Sequence, residues 1–427
     1  MRRNYSIAQV NLKEDVRMKT YHPFRKIFGV LVLGILLIAG CGGGGGGGGS
    51  SSGGGGTPAG TLDSSFGNGG IVVHGNAAGG NGNDLGNSIT TDSQGRILVT
   101  GVSRNTADNF DMAIWRYNSD GTMDTAFNSN STTPGIVVHG DAAGGNSHDY
   151  GNSITTDSQG RILVAGNSWD GSNYDMVIWR YMPDGSLDST FGNNGIVVHD
   201  NAAGGNKHDY GFSITIDSQG RILVTGSSFN GSDYDMVIWC YDSSGAPCSG
   251  FGAGGVVVDD SAAGGNDYDS GLSVTTDSQD RILVTGDSYN SSNNSDMVIW
   301  RYMPDGSLDS TFGNNGIVVH DNASGGNSDD EGSSITIDSQ ERILVTGYSY
   351  NSSNNSDMVI WRYMPDGSLD STFGNNGIVV HDNASGGNSD DEGRSITIDS
   401  EDRILVTGYS YNSSDNSEDM VIWRYMP

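Results

Sequence analysis

The sequence predicts an all-β protein, a six-bladed β-propeller of four-stranded antiparallel blades. Three observations carry this. A unit of about sixty residues recurs six times, marked by Arg96, Arg161, Arg221, Arg281, Arg342 and Arg403, at steps of 65, 60, 60, 61 and 61 residues. A period of that size means an array of supersecondary units sharing a continuous core. Three of the four strands in each unit are apolar on both faces, as when a sheet is covered on each side by a neighbouring sheet. The chain ends are offset by one strand against the repeat.

Each element follows from one copy of the unit. Ser213–Ile216 alternates as a strand. Asp217-Ser218-Gln219-Gly220 reads as a turn, with Asp at its first position and Gly where a left-handed residue fits. Arg221–Thr225 is a second strand, stopped by Gly226, and the polar stretch 227–233 is a loop. Asp235–Trp239 is a third strand, and a turn through Phe251-Gly252 leads to a fourth, Val256–Val258. Four short antiparallel strands per unit, repeated radially, is the propeller pattern.

The repeat region opens with Gly70–Val73, a fourth strand without its blade, and ends with Met420–Tyr425, a third strand without a fourth. The N-terminal strand is therefore expected to complete the last blade and lock the ring, one strand plus three. The alternative is an open β-solenoid, which needs polar capping repeats that this chain does not show.

Residues 1–40 read as a leader. Met18 is the expected start of a secretion signal, followed by Lys19, Arg25 and Lys26 and by an apolar run from Ile27 to Ala39. That run is too short to span a bilayer, which takes roughly 20 residues, but it suits a signal peptide. It ends Leu37-Ile38-Ala39-Gly40-Cys41, which resembles the lipobox of bacterial lipoproteins. The resemblance implies lipidation at Cys41, a membrane as partner and, with Gly42 rather than aspartate next, an outer-membrane address. Residues 41–60 then form a Gly/Ser-rich tether, with the propeller expected over 61–427.

Without the leader the chain keeps 14 basic and 49 acidic side chains, a net charge of −35, and one lysine, Lys207. Phosphate binding needs Lys and Arg, so nucleic acid is excluded as a partner. No GxSxG, HExxH or phosphate loop is present. The string MPDGSLDSTFGNNGIVV at Met303–Val319, together with DSQ and RILVTG, resembles the delta-60 repeat family of secreted bacterial β-propellers. That resemblance implies the propeller and brings no catalytic residues.

The copies comment on one another. An arginine follows the strand tryptophan and an aspartate stands eight residues later: Arg116 and Asp124, Arg180 and Asp188, Arg301 and Asp309, Arg362 and Asp370. Arg424 in the last copy would meet Asp63 across the ring closure. In the third copy both positions change together, to Cys240 and Cys248. Paired replacement implies that the side chains touch, so five ion pairs and one disulfide are expected. An oxidising compartment would preserve the bridge.

Each copy also carries an aspartate two residues before a glycine: Asp84, Asp149, Asp209, Asp269, Asp330 and Asp391. These read as turn braces. The last two copies, Asp329-Asp330-Glu331 and Asp390-Asp391-Glu392, are candidate calcium ligands, because calcium takes about six to eight hard oxygens. No other cofactor is expected. Strand-end His74, His139, His199, His320 and His381 read as packing residues that bond the next loop, with Asp259 in the remaining copy.

Asn290–Gly332 recurs letter for letter as Asn351–Gly393. Near-interchangeable copies suit a non-enzymatic binding, adhesion or scaffold module of the cell envelope, with a glycan or envelope protein as partner. Tyr348-Ser349-Tyr350-Asn351 is its expected exposed loop. The alternative is a polymer-acting hydrolase or lyase using carboxylates near the channel mouth.

Overall fold

The computed structural model describes residues 63–386, 389–412 and 417–427. The leader, Cys41 and the tether lie outside them. The described chain is all-β, without a helix, and forms a six-bladed β-propeller of antiparallel blades. The blades span residues 79–139, 149–199, 209–259, 264–320, 325–381 and 391–425. Five have four strands in sequential order, and the sixth has three. First strands of adjacent blades lie against one another and form the inner wall.

Closure differs from the expectation. Ile71–Val73 makes no ladder with the last strand, Ser417–Tyr425, whose outer edge is open. Residues 63–74 instead sit on the first blade. Gly67 N donates to Asp120 O, as Gly313 N does to Asp366 O one blade apart.

The third blade shows why the strands are apolar on both faces. Along Tyr234–Tyr241, Met236 and Ile238 pack into the cluster shared with the fourth blade, while Val237 and Trp239 join the cluster shared with the second. Side chains alternate across a strand, so each blade between two neighbours is core on both sides. Met236, Val237, Ile238 and Trp239 are all 0% exposed. Each such aliphatic side chain stabilises by about 1.5–3 kcal/mol.

The second strand does not stop at Gly226 but runs from Ile222 to Phe229. A Cβ on Gly226 would lie 1.7 Å from the Tyr210 carbonyl oxygen of the first strand. Glycine there permits close approach at a β-bulge rather than ending the strand. The Asp217 turn has Gly220 at φ 78°, while Asp280, Glu341 and Asp402 hold the same conformation in the last three blades.

Candidate functional site

The repeated polar residues resolve first into a frame. Arg180 Nε donates to Asp188 Oδ2 at 2.8 Å, the guanidinium lies over the Phe191 ring, and Nη1 donates to the Ser243 carbonyl of the next blade. Arg116 with Asp124, Arg301 with Asp309, and Arg362 with Asp370 repeat the pair at 2.8–2.9 Å. Burial alone would raise the Asp188 carboxyl. Hydrogen bonds from Thr190 and the Arg180 charge outweigh it and hold it below its ordinary value.

Cys240 and Cys248 are joined by a disulfide. With cysteine at the arginine position, the tie from this blade to the next comes from Arg221 instead, whose Nη1 donates to Pro304 O at 2.6 Å. Arg424 and Asp63 do not meet in the open ring. Asp63 accepts from Ser65 N and Oγ.

The strand-end histidines clamp blade to blade. His139 packs edge-on against Trp179 and its Nδ1 bonds the Tyr181 hydroxyl at 2.9 Å. His199 and His320 do the same with Tyr241 and Tyr363, at 2.7 and 3.1 Å. Asp259 accepts from both Trp300 Nε1 and Tyr302 Oη, at 3.0 and 2.8 Å.

The consecutive carboxylates of the last two blades do not form one ligand set. Successive side chains on a strand point to opposite faces, which turns Asp330 and Asp391 away from their neighbours, and each carboxylate has its own partners. Asp330 accepts from Asn322 N and Ala323 N, and Asp391 from Asn383 N and Ala384 N, bracing the preceding loop. Asp149 and Asp209 brace theirs in the same way. Asp329 accepts from Ser295 N and Asp390 from Ser356 N in the preceding blade. Both stand where His148 and His208 accept from Phe110 N and Tyr174 N. Glu331 and Glu392 are engaged instead by Tyr348 and Arg394, at the inner rim.

That rim is the asymmetric part of the molecule. Each first strand bulges after its glycine. The bulged residue is Asn87, Asn152, Phe212, Leu272, Ser333 or Arg394 in chain order. Just before it, Leu85, Tyr150, Tyr210, Ser270, Glu331 and Glu392 pair across the sheet with Val102, Asn167, Ser227, Asp287, Tyr348 and Tyr409. The near-interchangeable copies therefore differ where their inner strands bulge. The letter-for-letter duplication ends there too, with Ser333 against Arg394.

Two chemistries divide the rim. On the second to fourth blades an aromatic arc runs Tyr150, Tyr174, Tyr210, Tyr234, Tyr268, with centroids 5.7–6.1 Å apart. Phe212 stacks on Tyr210 at 5.9 Å and 9°. On the last two blades Arg394 lies 4.0 Å from Glu331, pairs closely with Glu392, and sits over the Tyr409 ring. Tyr348 Oη donates to Glu331 Oε2 at 3.1 Å. Burial raises the Glu392 carboxyl, against the pull of Arg394 and Tyr409. Tyr348 and Ser349 belong to the strand Ile343–Asn351 rather than to an exposed loop, and Ser349 is fully buried.

Among the described residues one carboxylate trio is tight enough for a cation. Oxygens of Asp175, Asp200 and Asp209 lie within 4.8 Å of one another. Burial, then Asp200, Asp170 and Asp209, pushes Asp175 up to about 7.

Four stretches, 93–127, 158–191, 280–312 and 342–373, match a family model described as a domain of unknown function (DUF5122) beta-propeller, and 202–235 matches a beta-propeller repeat (SBBP). No curated protein matches the chain in sequence. Among solved structures it is similar to a protein of unknown function from Dyadobacter fermentans, at 13% identity and TM-score 0.43, over 79% of this chain and 93% of that one. A Trypanosoma rangeli sialidase matches at 11% and 0.43, over 78% of this chain and 53% of the sialidase. A fucose lectin from Kordia zhangzhouensis matches at 15% and 0.23, over 39% of this chain and 95% of the lectin. The chain's repeats are thus β-propeller repeats by sequence as well as by architecture.

Proposed function

We propose that the protein is a non-enzymatic binding module of the bacterial cell envelope, anchored through lipidated Cys41, whose inner rim holds an extracellular glycan. One observation carries the reading: repeats that keep their frame nearly unchanged vary at the bulge, where the residue is Asn, Asn, Phe, Leu, Ser and Arg. Framework positions serve packing in most blades alike, whereas variation in six copies along one rim suits recognition. Stacked Tyr210 and Phe212 offer a flat apolar face for a sugar ring, and Glu331, Tyr348 and Arg394 offer hydrogen bonds to hydroxyls. Calcium fits the hard oxygens of Asp175, Asp200 and Asp209.

A second reading, a polymer-acting hydrolase or lyase, is favoured by Glu331 and Glu392 flanking the same guanidinium, with Glu392 held toward its protonated form. Paired carboxylates in unlike environments suit acid–base work. A glycan-binding screen with and without calcium, followed by assay of the bound glycan for cleavage, separates the two. Binding without turnover supports the module. Turnover abolished by Glu392→Gln alone would make the protein an enzyme.

A further inference from the structure

The two ends of the blade array expose residues that every internal interface buries. Ile154, Ile214, Val274, Ile335 and Ile396 are 5–6% exposed, because each packs on the preceding blade. Their equivalent in the first blade, Ile89, is 67% exposed. At the other end, Met112, Met176, Met236, Met297 and Met358 are 0% exposed, and so are the isoleucines two residues on. Their equivalents Met420 and Ile422 are 73% and 63% exposed. The two faces are the separated halves of an interface that the molecule makes five times.

Both halves are already shaped for pairing. Residues 63–74 hold the conformation of an outer-strand turn. Phe66 N donates to Asp63 O and Gly70 N to Phe66 O, as Phe373 N does to Asp370 O and Gly377 N to Phe373 O. The last strand, Ser417–Tyr425, offers an open edge. In the fifth blade the equivalent edge pairs Trp361 with Ile378, Ile360 with Val379 and Val359 with Val380. The same register would set Trp423 opposite Ile71, Ile422 opposite Val72 and Val421 opposite Val73. It would also bring Arg424 to Asp63, as Arg362 meets Asp370.

We infer that the open edge of the sixth blade is an interaction surface for a second copy of this chain, whose residues 63–74 supply the missing fourth strand and whose first blade covers Met420 and Ile422. Continuity with the five internal interfaces argues for a first blade as the occupant, because a first blade presents the matching isoleucine, strand and aspartate, and the chain's own first blade is not paired with that edge. Within one chain the two halves stand unpaired. The contact is a strand addition with side-chain pockets. It joins unlike faces, head to tail, and so builds a string of copies rather than a closed pair.

The test uses the chain with Cys41→Ser, so that introduced thiols are the only unpaired ones. Val72→Cys and Ile422→Cys are made in separate chains, mixed and oxidised. The expected result is a covalent dimer in the mixture that neither variant gives alone, with sedimentation mass rising with concentration. Ile89→Lys, which leaves the internal interfaces untouched, is expected to abolish both without lowering the melting temperature. Absence of the mixed dimer overturns the inference. So does a Val72→Cys/Ile422→Cys double variant that bridges only within one chain.

Discussion

The blade frame and the inner rim come from the same six repeats but differ in how far those repeats diverge. In the frame, Arg–Asp pairs, the Trp and the His clamp recur, apart from a concerted exchange in the third blade and the sixth blade, where Arg424 does not meet Asp63. On the rim, the blades carry amide, aromatic, aliphatic, hydroxyl and basic side chains at the bulge position alone. A frame residue touches the next blade, so any change must satisfy its neighbours there, as when Asp259 takes the tyrosine bond of a histidine site and adds one from Trp300 Nε1. A rim residue at a bulge has left the ladder of its own sheet, and its contact with the next blade takes different forms, as Asn87 and Asn152 donate to Gly151 O and Gly211 O while Phe212 stacks on Tyr210. On the proposed reading, stability and recognition lie on different layers of one strand.

The sharpest way to break the frame is Trp239→Ala. The side chain is 0% exposed between two blades, and its loss is expected to cost about 3–5 kcal/mol, read by denaturant unfolding. Arg180→Ala should follow at about 3 kcal/mol, because it leaves the Asp188 carboxylate buried beside Phe191 without its partner. Reducing Cys240–Cys248, which closes a separation of eight residues, should cost about 2–3 kcal/mol. Arg221→Ala in the reduced protein should then exceed the sum of the two single effects, since Arg221 carries the tie to Pro304.

The carboxylates give a smaller effect with a defined sign. Burial pushes Asp175, Asp269 and Asp330 up to about 7 in the folded chain, against about 3.9 unfolded. Between those values the folded state binds more protons, so stability falls as pH rises through about 4 to 7. His139, His199 and His320 are held low by burial and act oppositely below about pH 6.5. Above pH 6.5 the carboxylates act alone, and the melting temperature is expected to fall toward pH 8. Calcium should reverse that fall at pH 8 and do little at pH 5, and Asp175→Asn should remove part of both effects. A calcium effect of equal size at both pH values would contradict the assignment of the trio.

Most of the frame was legible in the sequence because it repeats. The sixty-residue period and the two-faced strands identify the propeller, and the joint change to Cys240 and Cys248 points to a contact between the two positions. The rim was not legible for the converse reason: a site that varies between copies has no period. A signal was nevertheless present at Ser333 and Arg394, where an otherwise identical stretch first departs. The bulge hid it, since Gly226 and its equivalents look like strand ends until the close approach of the Tyr210 carbonyl is seen. The run Asp329-Asp330-Glu331 reads as one ligand set in sequence, where neither the turn of Asp330 to the opposite strand face nor the separate partners of Asp329 and Glu331 can be seen. Closure was read from strand counting, which matches halves without saying where they meet.

The most direct test of the division between frame and rim is glycan binding by Phe212→Ala and Glu331→Gln, measured by calorimetry beside their melting temperatures. Phe212 is half-buried, and Glu331, although buried, keeps its shape and its bond from Tyr348 as glutamine, so unfolding free energies should stay within about 1–2 kcal/mol of the parent. The account predicts that each variant loses at least tenfold in affinity at a nearly unchanged melting temperature. Unaltered binding in both would contradict it and would return the binding surface to the outer loops.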